Sequence, residues 1–203
     1  MIRVVGLIIL LVLPLAVAAQ TGDLSEKRLA ELRVIADRIA LIETGDVPDM
    51  LVNAVLAANG TRGERPLADQ VAGMNLGAMR TLERKAAVIA LAAFLRERMS
   101  ERAIAEVYAA TVYYGRNCYG YVDAVRWLAR RTPDRAGDNV WLALAALPRS
   151  PSLYLRDRSA LKARVAVIVT EMEAQNLVGS DAAERLRGLP LANIDSGKGC
   201  SGR

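Results

Sequence analysis

The sequence predicts an all-α fold, a single compact helical domain behind an N-terminal signal or anchor segment. Three observations carry this expectation. No run of alternating β-branched residues bounded by turn residues is present, so strand signals are nearly absent. Apolar residues recur at helical spacing along almost the whole chain beyond residue 20. Neither an internal repeat nor a linker divides the 203 residues, a length that suits one domain with a sizeable core.

Taken in order, the first nineteen residues stand apart. Arg3 supplies a minimal positive start, Val4 to Leu15 is uninterrupted apolar sequence, and Ala16-Val17-Ala18-Ala19 offers the small residues a signal peptidase reads. The apolar run falls short of the about 20 residues of a comfortable span, and Pro14 suits a processed signal better than a continuous helix. Residues 1–19 are therefore expected to be a cleaved signal, with a retained inner-membrane anchor as the alternative. Either version makes the protein periplasmic or otherwise extracytoplasmic.

Ser25 can cap a helix whose apolar face reads Leu29, Leu32, Ile35, Ala36, Ile39. Asp46-Val47-Pro48 signals a second helix start, Met50 to Leu56 carry its apolar positions, and Asn59-Gly60-Thr61-Arg62-Gly63 breaks it. A third helix runs from Thr81 to Met99 and is almost continuously apolar from Ala86 to Leu95, as a helix buried on most sides would be. Ser100 caps a stripe of Ile104, Val107, Tyr108, Thr111 and Val112. Gly115 and Gly120 bracket a loop, Tyr121 to Leu128 resumes as helix, and Asp138 to Leu147 forms another that Pro148 stops. Leu161, Val165, Ile168 and Met172 mark a last long amphipathic helix. The domain is expected over residues 20–187, and residues 188–203 as an unpacked, Gly- and Ser-rich flexible tail.

Composition removes whole classes of chemistry. Histidine is absent, which excludes His-based triads, imidazole proton shuttles and most zinc sites. Any catalysis would rest on carboxylates, Lys or Tyr. The net charge is +5 and lysine occurs only at 27, 85, 162 and 198, so the basicity is that of arginine, which suits bidentate recognition of phosphate and carboxylate. An anionic membrane surface or a pyrophosphate-linked lipid fits; export argues against nucleic acid. The competing reading is that most of these arginines are simply solvated. Cys118 and Cys200 could pair in an oxidising compartment or stand as two unrelated thiols.

The segments Thr81-Leu82-Glu83-Arg84-Lys85, Ile104-Ala105-Glu106-Val107-Tyr108, Tyr113-Tyr114-Gly115, Tyr119-Gly120 and Ala146-Leu147-Pro148-Arg149-Ser150-Pro151-Ser152 together resemble one family. It is the peptidoglycan glycosyltransferases, glycosyltransferase family 51, the polymerase module of class A penicillin-binding proteins and monofunctional transglycosylases. The resemblance covers Val47 to Met172 and implies a lysozyme-like helical core. It also exposes what is missing. Where the family carries a Glu-Asp pair, whose glutamate activates the acceptor hydroxyl, this chain has Asn59 and Gly60; an amide can position a hydroxyl but cannot take its proton. Of the family's Gly-x-Ser-Thr-Ile-Thr-Gln-Gln run only Gly63 and Gln70 remain. Thr61 and Arg62 alone separate Gly60 from Gly63, so the intervening segment, part of the family's membrane-dipping jaw, has no counterpart.

The Arg-Lys-x-x-Glu motif reads Arg84-Lys85-Ala86-Ala87-Val88. The resemblance implies that its two cations face the donor diphosphate, and Val88 replaces the acid. A solvated helix start is the competing reading of Arg84 and Lys85. In Ile-Leu-Glu-x-Tyr-Leu-Asn, Glu106 and Tyr108 persist while Ala110 replaces the asparagine; Glu106 is expected to orient Arg84 or Lys85 rather than to catalyse. Arg149 and Arg164 fall at the family's Leu-Pro-x-x-Pro turn and last helix, as scaffold.

Loss of a general base, a further acid and the jaw removes far more than the about 10²–10⁴-fold a base alone supplies. The expected function is therefore a non-catalytic, exported glycosyltransferase-like protein. It would bind lipid-linked precursor, glycan or a cell-wall synthase, through Arg84, Lys85, Glu106 and Gln70. No cofactor is expected, and a divalent metal only if catalysis survives. The alternatives are a divergent active enzyme, with Glu106 or Asp69 as base, and an interaction scaffold whose arginines are neutralised by Glu83, Glu97 or Glu106.

Overall fold

A computed structural model describes residues 24–60, 64–78, 81–194 and 199–200. The expected signal or anchor, Gly63 and most of the last nine residues lie outside this set. Among the described residues no helix is long and apolar enough to cross a membrane. The all-α expectation holds: helices dominate, and one two-stranded ribbon is the sole sheet described. The described residues group into two compact units. Among the described residues, the first comprises 24–42 together with those in 68–101, the second those in 43–67 together with those from 102 to 200.

The first unit is built on helices α1 (Glu26–Ala40), α3 (Leu67–Met74) and α4 (Thr81–Arg98). Ser25 caps α1 by accepting from the Arg28 amide at 3.3 Å, as its hydroxyl predicts. Leu32, Ala36 and Ile39 form the buried stripe of α1, which packs along α4. Ala87, Ala90, Leu91, Ala92, Phe94 and Leu95 of α4 are buried, while Leu82 and Ile89 reach solvent. The guanidinium groups of Arg33 and Arg98 lie 5.0 and 5.8 Å from the Phe94 ring centroid and cover its edge of the core.

The second unit is organised around α7 (Asp138–Ala146), in which every residue from Val140 to Ala146 is buried. A helix apolar on all sides must be surrounded, and α2 (Asp49–Gly60) and α9 (Arg158–Ala174) both pack on it and on each other. Alanines at 54, 57, 58, 143, 145 and 146 let these helices approach closely. Asp157 caps α9 by accepting from Ser159 and Ala160 amides. Around this core lie α5 (Glu101–Thr111), α6 (Tyr121–Trp127), the single turn α8 (Pro151–Tyr154) and α10 (Ser180–Gly188). Pro148 falls in a short 3₁₀ turn, Leu147–Arg149, that ends α7.

The segment read from sequence as a loop is a β-hairpin. Strands β1 (Tyr113–Gly115) and β2 (Cys118–Tyr119) are antiparallel, pairing Tyr113 with Tyr119 and Gly115 with Cys118. Arg116 and Asn117 between them have φ of 50° and 60°, the twist of a type I′ turn. Such turns usually announce themselves as Asn-Gly, and Arg-Asn does not, which hides the hairpin. Gly120, φ 74°, follows where a Cβ would sit 2.4 Å from the Ala110 carbonyl oxygen.

The expected loose tail is corrected in part. Residues 188–194 pack: Ala192 and Ile194 are buried, Asn139 donates to the Pro190 carbonyl at 3.0 Å, and Arg158 reaches those of Leu191 and Ala192. Short apolar residues in a Gly- and Ser-rich context were enough to dock. Further on, Cys200 is disulfide-bonded to Cys118, with Cα atoms 5.0 Å apart, and its amide donates to the Arg116 carbonyl at 2.9 Å.

Candidate functional site

In the first unit, Arg84 near the start of α4 turns back onto the end of α3. Its Nη1 donates to the carbonyls of Leu76 (3.1 Å) and Gly77 (2.7 Å), and its Nη2 to that of Gly73 (2.9 Å). Gly73 is an orphan acceptor of the last turn of α3, where a cation is also favoured by the dipole, and Leu76 and Gly77 lie in the segment that follows it. Lys85 is exposed beside it, and Val88 and Gln70 are half-buried. Asp69, an alternative base, is bound to Arg96 at 2.8 Å. Arg98 takes Asp37 and, at 3.6 Å, Glu97.

In the second unit, Asn59 occupies the last turn of α2. Its Nδ2 donates to the Val55 carbonyl at 2.7 Å, so the amide is folded back along its own helix. At the neighbouring Gly60 a Cβ would stand 2.0 Å from Gln175 Nε2. A carboxylate side chain at residue 60 would have to displace that glutamine.

Glu106 on α5 accepts from Arg102 Nε, four residues back, at 3.1 Å; Arg102 also binds Asp49 at the start of α2. These contacts hold the Arg102 guanidinium above its ordinary pKa, the Asp49 bond contributing most. Arg84 and Glu106, expected to act as a pair, are thus each engaged inside their own unit.

A further charge cluster centres on Glu64, a residue not singled out from the sequence. Glu64, 18 % exposed, accepts from both Arg149 and Arg164, the latter at 3.3 Å. Arg164 is itself buried on α9 and also donates to the Ala58 carbonyl at 2.9 Å, in the same turn as Asn59. Burial pulls the Arg164 guanidinium below its ordinary range, the Glu64 carboxylate opposes this, and Arg149 adds to the lowering. Tyr108, buried on α5, feels the same charges. Burial pushes its phenol up, Glu64 pushes further and Arg164 opposes, so it stays protonated and able to donate. A signal for this cluster was present: Arg164 falls at helical spacing between the apolar Leu161 and Ile168, and an arginine on such a face calls for an acid.

Chemically, the candidate acids Glu106 and Asp69 are engaged by guanidinium groups, and Asn59 is an amide bonded to its own helix. No cluster of three or more His, Cys, Asp or Glu able to hold a metal ion occurs among the described residues. This helical architecture agrees with comparison to known families. The family model described as Transglycosylase matches residues 47–173, more than half of the chain, and the chain belongs to that family, the peptidoglycan glycosyltransferases. No curated protein matches it.

Proposed function

We propose that this protein is an exported, non-catalytic member of the transglycosylase family that binds lipid-linked peptidoglycan precursor or nascent glycan during cell-wall assembly. The observation that carries this reading is Asn59. It stands where the resemblance places the general base, it cannot accept the acceptor hydroxyl's proton, and its amide is bonded to its own helix. Glu64, the acid next along the described chain, is held by two guanidinium groups, an arrangement suited to structure rather than to proton abstraction. Lys85 is the exposed cation of the diphosphate-facing motif and the first residue to test for precursor affinity. The site of action is the periplasm or another extracytoplasmic space, with residues 1–19 cleaved or kept as an inner-membrane anchor.

The test is incubation of the purified protein with labelled lipid-linked disaccharide, followed by separation of products and measurement of protein-bound precursor. The reading expects bound, intact precursor and no glycan chains. Chains would instead establish the divergent enzyme.

A second reading, a protein-interaction scaffold acting on a cell-wall synthase, is favoured by Arg84. Its bonds to three backbone carbonyls tie it to the end of α3 and the segment after it and leave Lys85 as the motif's exposed charge. Failure of precursor binding together with retention on a synthase would support it.

A further inference from the structure

Within the second unit, α9 carries aliphatic residues on a side where a surface helix is ordinarily polar. The run Val165-Ala166-Val167-Ile168-Val169 exceeds one helical turn without a polar side chain, so apolar groups point to every side of the helix. Ile168 and Val169 are buried, whereas Ala166 and Val167 are exposed and Val165 is half-buried. A helix that is apolar all round is ordinarily surrounded; here part of that surface meets solvent.

The same stretch of α9 forms one wall of a groove of about 80 Å³. Its apolar lining comes from Leu142 of α7, Val165 and Val169 of α9, Leu186 of α10, and Leu189 and Leu191 of the segment after it. Its polar lining is two cations and an amide, Lys162, Arg187 and Asn139, and no carboxylate is among the described residues that line it. Arg187 is bonded to Glu173, and Asn139 donates to the Pro190 carbonyl at 3.0 Å. Lys162 is exposed and has no ion-pair partner among the described residues.

The groove is built in rather than formed by loose side chains. The segment that closes it is pinned by the Asn139 bond to Pro190 and by Arg158, which reaches the Leu191 and Ala192 carbonyls at 3.3 and 3.4 Å. Aliphatic walls favour carbon over water. The volume is roughly that of three waters in the liquid, enough for a short run of methylenes and too little for a ring. Ala166 lines the groove and is exposed, so the apolar surface continues out of it. At the edge, an ammonium without a counter-ion favours a negative end over a neutral or positive one.

We propose that this groove binds an aliphatic monocarboxylate of the fatty-acid class, its chain along the groove and its carboxylate against the Lys162 ammonium. The chain supplies what the walls favour and the carboxylate what the edge lacks. Binding makes and breaks no covalent bond. The site is separate from the motif remnants above and does not depend on the precursor-binding reading.

The experiment titrates sodium octanoate into the full chain, its leucine and valine methyl groups isotope-labelled and followed by NMR, at about 0.15 M salt. Saturable shifts are expected at Leu142, Val165, Val169 and Leu186, and none at Val34, Leu82 or Leu153, which are exposed elsewhere. Ala166→Phe, which fills the groove from its open side, should weaken binding at least roughly tenfold. Lys162→Gln should weaken octanoate roughly two- to fivefold and leave neutral octanol unchanged. Circular dichroism checks folding, and Ala166→Leu is the second filling variant should the first not fold. Sedimentation of the parent tests whether a second copy of the chain covers the groove instead; a dimer whose groove methyls ignore octanoate counts against the proposal. Absence of saturable shifts, shifts spread equally over the other exposed residues, or an unchanged affinity in Lys162→Gln overturns it.

Discussion

Arg164 is 8 % exposed, yet it carries a full charge into the packed face of α9. Its partner Glu64 makes that placement tolerable, because a buried charge stripped of its counter-ion costs far more than the pair contributes when intact. Glu64→Gln should therefore destabilise the fold by about 2 kcal/mol, measured by urea unfolding, since the amide keeps the shape but not the charge. Arg149→Ala, removing a half-exposed partner of the same carboxylate, should cost less than about 1 kcal/mol. Equal losses would show that Arg164 does not depend on Glu64. The two buried phenols give a second handle. Burial pushes Tyr108 and Tyr114 up, and the Tyr114 hydroxyl donates to the Ala109 carbonyl at 3.1 Å. In the unfolded chain both ionise near the ordinary value of about 10, so above that pH the unfolded state sheds protons first and is favoured. Stability should hold below about pH 10 and fall above it; replacing both tyrosines by Phe should flatten that fall in unfolding curves taken at stepped pH.

At the scale of elements, sequence legibility followed the strength of local signals. The α1 cap at Ser25, the burial of most of α4 from Ala86 to Leu95 and the stop after α7 could be read directly, because a capping hydroxyl, an apolar run and a proline each act locally. The hairpin could not, since its turn residues Arg116 and Asn117 lack the usual glycine; nor could α3, too short for periodicity to show. Sequence singled out Asn59, Arg84 and Glu106 as candidates but not their bonds, which depend on side-chain direction. It missed Glu64, whose role exists only when residues a hundred positions apart meet. The hairpin carries two further predictions. Gly120→Ala should destabilise by more than about 1 kcal/mol in urea unfolding, because the new Cβ meets the Ala110 carbonyl at a positive φ. The Cys118–Cys200 bond closes a separation of 82 residues, so reduction should cost on the order of 3–4 kcal/mol, read as a fall in melting temperature on adding a thiol reductant. An unchanged melting temperature would mean the cross-link constrains little.

For the whole molecule, two kinds of evidence meet. The match over residues 47–173 establishes membership of the transglycosylase family, while three residues that the resemblance sets at its motifs are engaged locally: Asn59 back onto its helix, Arg84 onto three carbonyls, Glu106 onto Arg102. Binding tolerates such losses better than catalysis does, because affinity draws on many contacts and turnover on a few placed groups. The most direct measurement is a titration of the purified protein with a short-chain lipid-linked disaccharide precursor, followed by fluorescence of Trp127, which is partly exposed, and Trp141, which is buried. The account predicts a saturable change, weakened by Lys85→Ala, with the precursor recovered intact. A flat titration on a folded protein, or glycan chains in the recovered material, would contradict it.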